Sequence, residues 1–515
     1  MPVVKTSIER HYRNSARPEP LDGRLTLLER LLLAVTVWEI PLGIDKYLMY
    51  AEEHGTLGAV AGFSVSLASL CLVALYGLWF LGIGLRRMEP QRTILGVPQI
   101  AYLLLVALSI LVAEVRHLAL CELFLLLQAY AIFYYVANRI RSVQDLTFLI
   151  VCMAIGMGAQ GLIMIGQKAL GARLYGETIQ ISMLKFIVWE DGRTAGTLHS
   201  AVLAGSWLAI LWLVVLPVFV VQRDWRWRAA FGVCLALGLL GMLFTQTRGA
   251  VLTVAFGAVL LGLSMFGRGW LPSWVVKIAA VGSLLALIPL AQVVQNRVLQ
   301  GDEGSAESRV HLTAIALETI PRSPIFGHGA GNCHVACLPA ANSATFRSEW
   351  YFTVHCKYLI VWIETGIVGL AAFGLILCNG VRQGVVAWTR RHPILSPLGL
   401  GCAAAIIGHS LHMFVDIFNS RPQVQTLWLV LGVTALTYRL ATHAASERVA
   451  TPTRVRPPGH LRANQVGQTQ VSQTQVSQTQ VGQTQVGQTQ VGQMQVGQTQ
   501  AVSGRWILSR QEPTA

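Results

Sequence analysis

The feature that most constrains this chain is a succession of apolar runs, each long enough to cross a lipid bilayer. A membrane-spanning helix needs about 20 residues, and a helix pairs all of its backbone groups within one segment, as the lipid interior demands. Hydrophobic residues make up 53% of the chain and charged residues 12%, which excludes an ordinary soluble domain. The runs lie near 27–44, 57–85, 94–112, 118–137, 146–166, 201–221, 229–245, 250–266, 274–294, 358–380, 394–414 and 424–441. The sequence therefore predicts an all-α, polytopic integral membrane protein with about twelve transmembrane helices.

The basic residues predict how these spans are oriented. The net charge is +14, but Lys and Arg form short clusters between apolar runs, as membrane orientation requires and nucleic-acid binding does not. With a cytoplasmic N-terminus, the inner short loops carry Arg86, Arg87, Arg92, Arg139, Arg141, Arg223, Arg226, Arg228, Arg268, Arg382, Arg390 and Arg391. The outer short loops carry only Lys46, Arg116, Arg248 and Arg421. Both long loops, near 167–200 and 295–357, then lie on the periplasmic face.

Two tails flank the predicted transmembrane domain, residues 27–441. Residues 1–26 are basic and lack the pattern of a cleaved signal peptide, so we expect a cytoplasmic tail. Residues 442–515 form a second cytoplasmic tail, in which residues 465–500 repeat Gln-Thr-Gln-Val-Gly/Ser every five residues. That period matches neither a helix nor a strand, and one Val in five buries too little surface to order the chain. The tail is predicted to be disordered and to have no catalytic role.

The loop at 295–357 is a polar insert between apolar runs, and we expect it to carry the chemistry. Its stretch 308–320 predicts a short helix, because Val310, Ala314, Leu317 and Ile320 recur at helical spacing. The glycine-rich segment 327–332 predicts a tight turn that returns the chain to the bilayer.

Three of the nine cysteines lie in or beside this insert, at positions 333, 337 and 356. Cys333 and Cys337 flank His334, but no second Cys or His pair follows at zinc-site spacing, so no metal is expected. A disulfide among the three remains open.

Two arginines are the candidates for binding an anion. Arg248 lies in the Gln-Thr-Arg-Gly-Ala break between two apolar runs, and Arg309 begins the predicted short helix. An anchor at the membrane boundary is the alternative interpretation of Arg248, and a solvated first-turn residue that of Arg309. Both are predicted on the outer side, however, where the positive-inside rule does not account for an arginine. The two guanidinium groups can therefore bind one anionic group together.

His355 is the candidate proton acceptor, just before the tenth span. A lone histidine is often structural, but Lys357 and Glu364 follow it and can tune its pKa. Arg193 and His199, from the other long loop, provide a second cationic group on the same face.

These motifs together resemble the O-antigen ligase and O-antigen polymerase family of bacterial membrane glycosyltransferases. The matching features are the Thr-Arg-Gly-Ala turn at 247–250, Arg309 ahead of Ile-Pro-Arg-Ser-Pro-Ile-Phe-Gly-His-Gly-Ala-Gly-Asn at 320–332, and His355 entering a helix that continues Glu-Thr-Gly-Ile-Val-Gly-Leu at 364–370. Their order and spacing carry the resemblance more than any single motif.

The resemblance implies a GT-C-like helical fold with short helices in the large periplasmic loop, in the bacterial inner membrane. The implied reaction moves a glycan from undecaprenyl diphosphate to an acceptor hydroxyl at the periplasmic face, without a metal or another cofactor. Arg248 and Arg309 would bind the diphosphate and His355 would act as the base. The residues expected to help bind substrate are Arg193, His199, Arg322, His328 and Lys357.

The acceptor stays open at this point: another glycan, lipid A core or a protein. This chain has Cys356 where family members often have Asn, and His199-Ser200 where they often have an Asn-Pro pair. A transporter or flippase of lipid-linked glycans is the alternative from another class. It predicts ionisable residues deep within several spans, for which Glu39, Glu122 and Glu364 are the few candidates.

Overall fold

A computed structural model describes residues 24–51, 60–85, 93–170, 178–181, 184–187, 192–198, 200–271, 305–341 and 353–450. The helices are α1 (Leu27–Leu42), α2 (Leu67–Gly84), α3 (Val97–Ser109), α4 (Arg116–Arg139), α5 (Val143–Leu170), α6 (Ala201–Val221), α7 (Trp225–Phe244), α8 (Arg248–Gly267), α9 (Ser305–Thr319), α10 (Cys333–Ala341), α11 (Lys357–Thr389), α12 (Leu395–His412) and α13 (Arg421–Ala450), with a 3₁₀ turn at Ile320–Arg322. The predicted ninth span at 274–294, the repeat tail and His199 lie outside the described residues.

Eight of the described helices are long and apolar enough to cross a membrane: α2, α4, α5, α6, α7, α8, α11 and the Arg421–Ser446 part of α13. α3 is apolar but has only 13 residues, and α1 and α12 are shorter or more polar than these eight. The mainly helical, polytopic architecture is therefore confirmed. The count of about twelve spans and their orientation stay predictions.

Two short antiparallel hairpins depart from the all-α expectation. Strand β1 (Asp45–Leu48) pairs with β2 (Phe63–Ser66), and β3 (Thr178–Ile181) pairs with β4 (Leu184–Ile187). The predicted span at 57–85 consequently begins later, at Leu67. Ser66 ends β2 and starts the helix, since its side chain accepts from the backbone N–H of Ser69 in a capping box.

Buried ion pairs hold α1 at both of its ends. Glu29 accepts two hydrogen bonds of 2.8 Å from Arg139, and Glu39 accepts bonds of 3.0 and 3.1 Å from Arg421. Arg421 also donates to Asp45 at 3.1 Å. Arg139, which the sequence predicts to be an orienting loop residue, is instead fully buried. Bidentate pairing makes the burial of such charges tolerable.

Helix α11 is broken at Gly366, whose φ of 68° and ψ of −175° are not helical. The glycine turn before α10 docks into this break. His328 N–H donates to the Ile363 carbonyl at 2.8 Å, Gly329 N–H to the Glu364 carbonyl at 2.8 Å, and Ile367 N–H to the Pro324 carbonyl at 2.9 Å. The glycine-rich segment thus forms a turn that is held to α11 by backbone hydrogen bonds, and its return to the bilayer stays a prediction.

Candidate active site

The site starts at the sharp turn between α7 and α8, where Arg248 is the first helical residue. Gln246 has a positive φ of 52° and reverses the chain there. Thr247 precedes the helix, but its hydroxyl donates to the Ala201 carbonyl at 3.0 Å and no side chain caps the helix start. Arg248 itself is exposed. The turn therefore places an exposed arginine at a helix N-terminus that no side chain caps.

Gly249 brings this helix start against the end of α12. A methyl group at Gly249 would lie 2.5 Å from both Cδ2 and Nε2 of His412, so a larger residue there requires the ring to move. Further along the same helix pair, Thr253 donates to the Gly408 carbonyl at 3.2 Å. The contact between α8 and α12 thus places an imidazole against Gly249, the residue after Arg248.

Arg309 and Asp416 lie within electrostatic range of two histidines, His355 and His412. Burial, followed by the positive charge of Arg309, holds the pKa of His355 below its ordinary value of 6.5. The negative charge of Asp416 and a hydrogen bond with the Thr353 backbone act in the opposite direction. Nδ1 of His355 is buried without a partner among the described residues. A neutral imidazole of this kind can accept a proton.

The loop after α12 fixes Asp416 in place. Its carboxylate accepts a hydrogen bond from Gln423 at 2.8 Å and one from the Ile417 backbone at 2.8 Å, and Gln423 also donates to Ser206 at 2.9 Å. The structure therefore brings Arg309 and Asp416 into electrostatic range of both histidines, and it packs His412 on Gly249, the residue after Arg248. His412 and Asp416 were not among the residues predicted from the sequence. A signal was present, because His412 and Asp416 are four residues apart where the eleventh predicted span ends.

Arg193 reaches the same α7–α8 turn from the preceding loop. Its Nε donates to the Thr245 carbonyl at 3.0 Å, and the neighbouring Thr194 N–H donates to the Phe244 carbonyl at 3.2 Å. Arg193 is thus held at the turn that leads into Arg248.

Lys357 lies in the interior, away from an exposed substrate surface. Its side chain is buried, donates to Asn419 and has Glu122 and Glu364 as charged neighbours. Its backbone N–H donates to the carbonyls of Met413 at 2.9 Å and Asp416 at 3.1 Å. Lys357 thereby joins the His355 segment to the loop that carries Asp416.

Arg322 and His328 occupy two other positions on the loop. Arg322 is 39% exposed and pairs with Glu318 at 3.5 Å, roughly 20 Å along the helix axis from Arg309. His328 is in the glycine turn, where its Nε2 is buried without a partner among the described residues.

The three loop cysteines are free thiols in the structure. Cys333 and Cys337 are buried in α10, and the Thr319 hydroxyl lies 3.7 Å from the Cys337 sulfur. Over the described part of the chain, no group of three or more His, Cys, Asp or Glu residues is arranged to hold a metal.

The segment that carries these residues has known relatives. Residues 233–374 match the O-antigen ligase family. The match runs from α7 into α11, contains Arg248, Arg309 and His355, and confirms the family resemblance drawn from the motifs. It ends before His412 and Asp416, so the O-antigen ligase match by itself does not point to these two.

Two further comparisons add no functional information. No curated protein matches the chain. A chain from the solved structure described as "Structural coordination of polymerization and crosslinking by a peptidoglycan synthase complex" aligns over 67% of this chain and 97% of that one, at 15% identity and a TM-score of 0.34. A TM-score this low does not support a conclusion about the fold or the function of this chain.

Proposed function

We propose that this protein transfers a glycan from a polyprenyl diphosphate to an acceptor hydroxyl, at the periplasmic face of the bacterial inner membrane and without a metal. The observations that support the proposal are the electrostatic proximity of Arg309 to His355 and His412, the packing of His412 on Gly249 next to Arg248, and the match of residues 233–374 to the O-antigen ligase family. An anion site and a proton acceptor are the two groups that this reaction needs.

The chemistry assigns each group a role. The bond between C1 of the sugar and the diphosphate oxygen breaks, and its electron pair stays on the diphosphate. Arg248 and Arg309 stabilise the charge that develops there through charge-assisted hydrogen bonds. The acceptor oxygen forms the new bond to C1, and its proton passes to neutral His355. A single displacement of this kind inverts the anomeric configuration.

The remaining predicted substrate-binding residues take different roles within this proposal. Arg193 supplements the cationic face beside Arg248, and His199 would extend it. Arg322 and His328 would contact the glycan or the acceptor rather than the diphosphate. Lys357 acts from the interior, by holding the His355 segment against the Asp416 loop.

The transporter alternative has less support from the buried acids. Glu39 is bound by Arg421, and the Glu364 carboxylate accepts from the backbone amides of Gly331 and Cys333. Glu122 has Lys357 as its charged neighbour. Each acid thus has a structural partner, and partners of this kind explain buried carboxylates without a transport path.

The test is transfer by the purified protein in lipid nanodiscs, with a defined undecaprenyl-diphosphate-linked oligosaccharide and a chelator present. Lipid A core, a free glycan and a serine-containing peptide serve as separate acceptors, so that the product identifies ligase, polymerase or protein transferase. We expect transfer to one acceptor class, its loss in Arg248→Ala and Arg309→Ala, and poor rescue by Lys, because a point charge does not replace a guanidinium fork.

The exposed loop residue Arg223 supplies the matched control, since Arg223→Ala removes a guanidinium group away from the site. No transfer to any acceptor, or undiminished transfer by both site variants, would refute the proposed function.

A further inference from the structure

Two arginine side chains are held near each other where α4 ends beside the C-terminal part of α13, at the predicted inner face. Arg439 donates from Nη2 to the carbonyl of Ile140, the residue that follows α4, and it lies within electrostatic range of Arg141. Both side chains are half-buried. Like charges repel, and burial strengthens the repulsion because it removes the water that screens it. An anion between the two guanidinium groups would offset this repulsion.

A third arginine begins at the same end of the helix bundle. Arg139, the last residue of α4, donates to the carbonyl of Arg24 at 3.2 Å, which brings the chain before α1 beside the end of α4. Nε of Arg24 is buried and has no hydrogen-bond partner among the described residues. Buried polar atoms are almost always paired, so this N–H is a donor that a bound group can complete. Arg24, Arg141 and Arg439 are called the arginine cluster below.

Two buried carboxylates at this end are already bonded to other arginines. Glu29 accepts from Nε and Nη2 of Arg139, each at 2.8 Å. Asp145 accepts from Nε and Nη2 of Arg30, at 3.1 and 2.8 Å. The described hydrogen bond of Arg439, in contrast, goes to a neutral carbonyl. The two carboxylates therefore neutralise Arg139 and Arg30 and leave the positive charge of Arg439 in place.

Membrane orientation by itself explains arginines of a different kind. Exposed residues such as Arg223 and Arg382 satisfy the positive-inside rule in water. Arg439 instead lies inside the last predicted span, 424–441, where an ionisable side chain is costly and is a sign of function. A guanidinium group has five N–H donors, so the bond to the carbonyl leaves other donors of Arg439 for a ligand.

We propose that the arginine cluster binds the phosphate of an anionic phospholipid between α1, α4 and α13. Phosphate oxygens accept charge-assisted hydrogen bonds from guanidinium groups, and their negative charge relieves the repulsion between Arg141 and Arg439. The cluster lies where the predicted spans end, and basic pockets between transmembrane helices suit the headgroup of cardiolipin. Cardiolipin matches the site best, because its two phosphates can contact guanidinium groups of different helices. This inference does not depend on glycan transfer.

The test is native mass spectrometry of the full-length protein, with cardiolipin, phosphatidylglycerol or phosphatidylcholine added at equal concentration. We expect the wild type to bind cardiolipin roughly tenfold or more tightly than phosphatidylcholine, with phosphatidylglycerol between them. Arg24→Gln and Arg439→Gln should each weaken cardiolipin binding roughly tenfold, the effect of one lost hydrogen bond to a charged group. Arg382→Gln removes an exposed guanidinium group on the same predicted face. It serves as the matched control and should bind as the wild type does.

Arg439→Lys is a further variant, because Arg439→Gln also loses the bond to Ile140 and can weaken the fold. Lysine keeps the positive charge but not the guanidinium fork, so its affinity should lie between those of the wild type and Arg439→Gln. The thermal midpoint without lipid shows which variants are folded, and Arg24→Gln tests the site without touching the Ile140 bond. Equal affinity of the wild type for cardiolipin and phosphatidylcholine would overturn the proposal. Undiminished binding by folded Arg24→Gln and Arg439→Lys, or equal weakening in Arg382→Gln, would do the same. Displacement of cardiolipin by inorganic phosphate at equal concentration would show a site for the free ion and not for the lipid.

Discussion

At the scale of single residues, His355 is poised between two opposite charges. Burial and Arg309 favour its neutral form, while Asp416 favours the protonated form. The balance leaves the pKa of His355 below 6.5, so the ring is mostly neutral near pH 7 and ready to receive a proton. The sequence predicts His355 as a site residue, but its two charged neighbours come from other segments of the chain.

His355→Ala is predicted to lower turnover by roughly 10²- to 10⁴-fold and to leave donor binding nearly unchanged, because the proton is transferred only during the reaction. Transfer rate, donor affinity and the amount of folded protein should be measured on the same preparation. A structural histidine would instead reduce folded protein without changing the rate per molecule.

Asp416→Asn is predicted to move the acid limb of the pH–rate profile of transfer to lower pH. A base works in its neutral form, so activity falls as the pH decreases through the pKa of His355. Removing the carboxylate charge takes away the influence that raises this pKa, and the limb shifts downward. Gln423→Leu, which keeps the charge but removes the hydrogen bond to Asp416, should shift it less. An upward shift in Asp416→Asn would contradict the electrostatic assignment.

At the scale of elements, the glycine turn and the break in α11 form one unit. The segment that begins Ile-Pro-Arg and the segment Glu-Thr-Gly are separate in sequence, yet their backbones are hydrogen-bonded. A methyl group at Gly366 would lie 1.9 Å from the Ile325 carbonyl oxygen, and the positive φ disfavours any other residue. The turn therefore orders the segment before α10 relative to the helix that His355 precedes.

Gly366→Ala is predicted to destabilise the fold by at least about 2 kcal/mol, because it combines backbone strain with a clash. The measurement is the thermal midpoint of the purified protein, with folded yield beside it. Gly374 provides the matched control in the same helix, since a methyl group placed there would have nothing within 4 Å; Gly374→Ala should be neutral or slightly stabilising. Equal midpoints for the two variants would show that the break is not required.

At the scale of the whole molecule, buried ion pairs connect α1 to distant parts of the chain. Glu29 and Glu39 lie near its two ends and bind Arg139 and Arg421. The sequence pattern predicts both arginines to be loop charges that orient the spans. Since these pairs are buried, their geometry matters for packing as well as for orientation.

Arg421→Met is predicted to destabilise the protein by about 3 to 5 kcal/mol, because it leaves Glu39 buried without its partner. Adding Glu39→Gln should restore part of the loss, since no uncompensated charge then remains at that position. Thermal midpoints of the single and double variants give the comparison. A double variant less stable than Arg421→Met would contradict this account.

The orientation of the spans is tested by cysteine labelling on a background without native thiols. Glu318→Cys, on the predicted outer loop, should react with an impermeant reagent added from the periplasm, and Arg390→Cys, on a predicted inner loop, should not. Both positions are exposed in the structure, so a failure to react reports the side of the membrane. Labelling of both cysteine variants from the periplasm would contradict the predicted topology.

The membrane class, most helix positions and the family motifs follow from the amino-acid sequence alone. A long apolar run in a membrane forms a helix, because lipid offers no hydrogen-bond partners to its backbone. This rule applies to each segment by itself, whatever other segments pack against it. By their order and spacing the motifs predict Arg248, Arg309 and His355 as site residues.

Which residues meet is a property of the tertiary structure. Four contacts depend on how helices distant in sequence pack. They are the packing of His412 on Gly249, the hydrogen bond from Gln423 to Asp416, the burial of the Lys357 side chain and the docking of the glycine turn at Gly366. A pattern along one segment reports its own periodicity and polarity, but burial and long-range hydrogen bonds are properties of two segments at once. For this physical reason the sequence pattern predicts a substrate-binding cation at Lys357 and an ordinary span residue at His412.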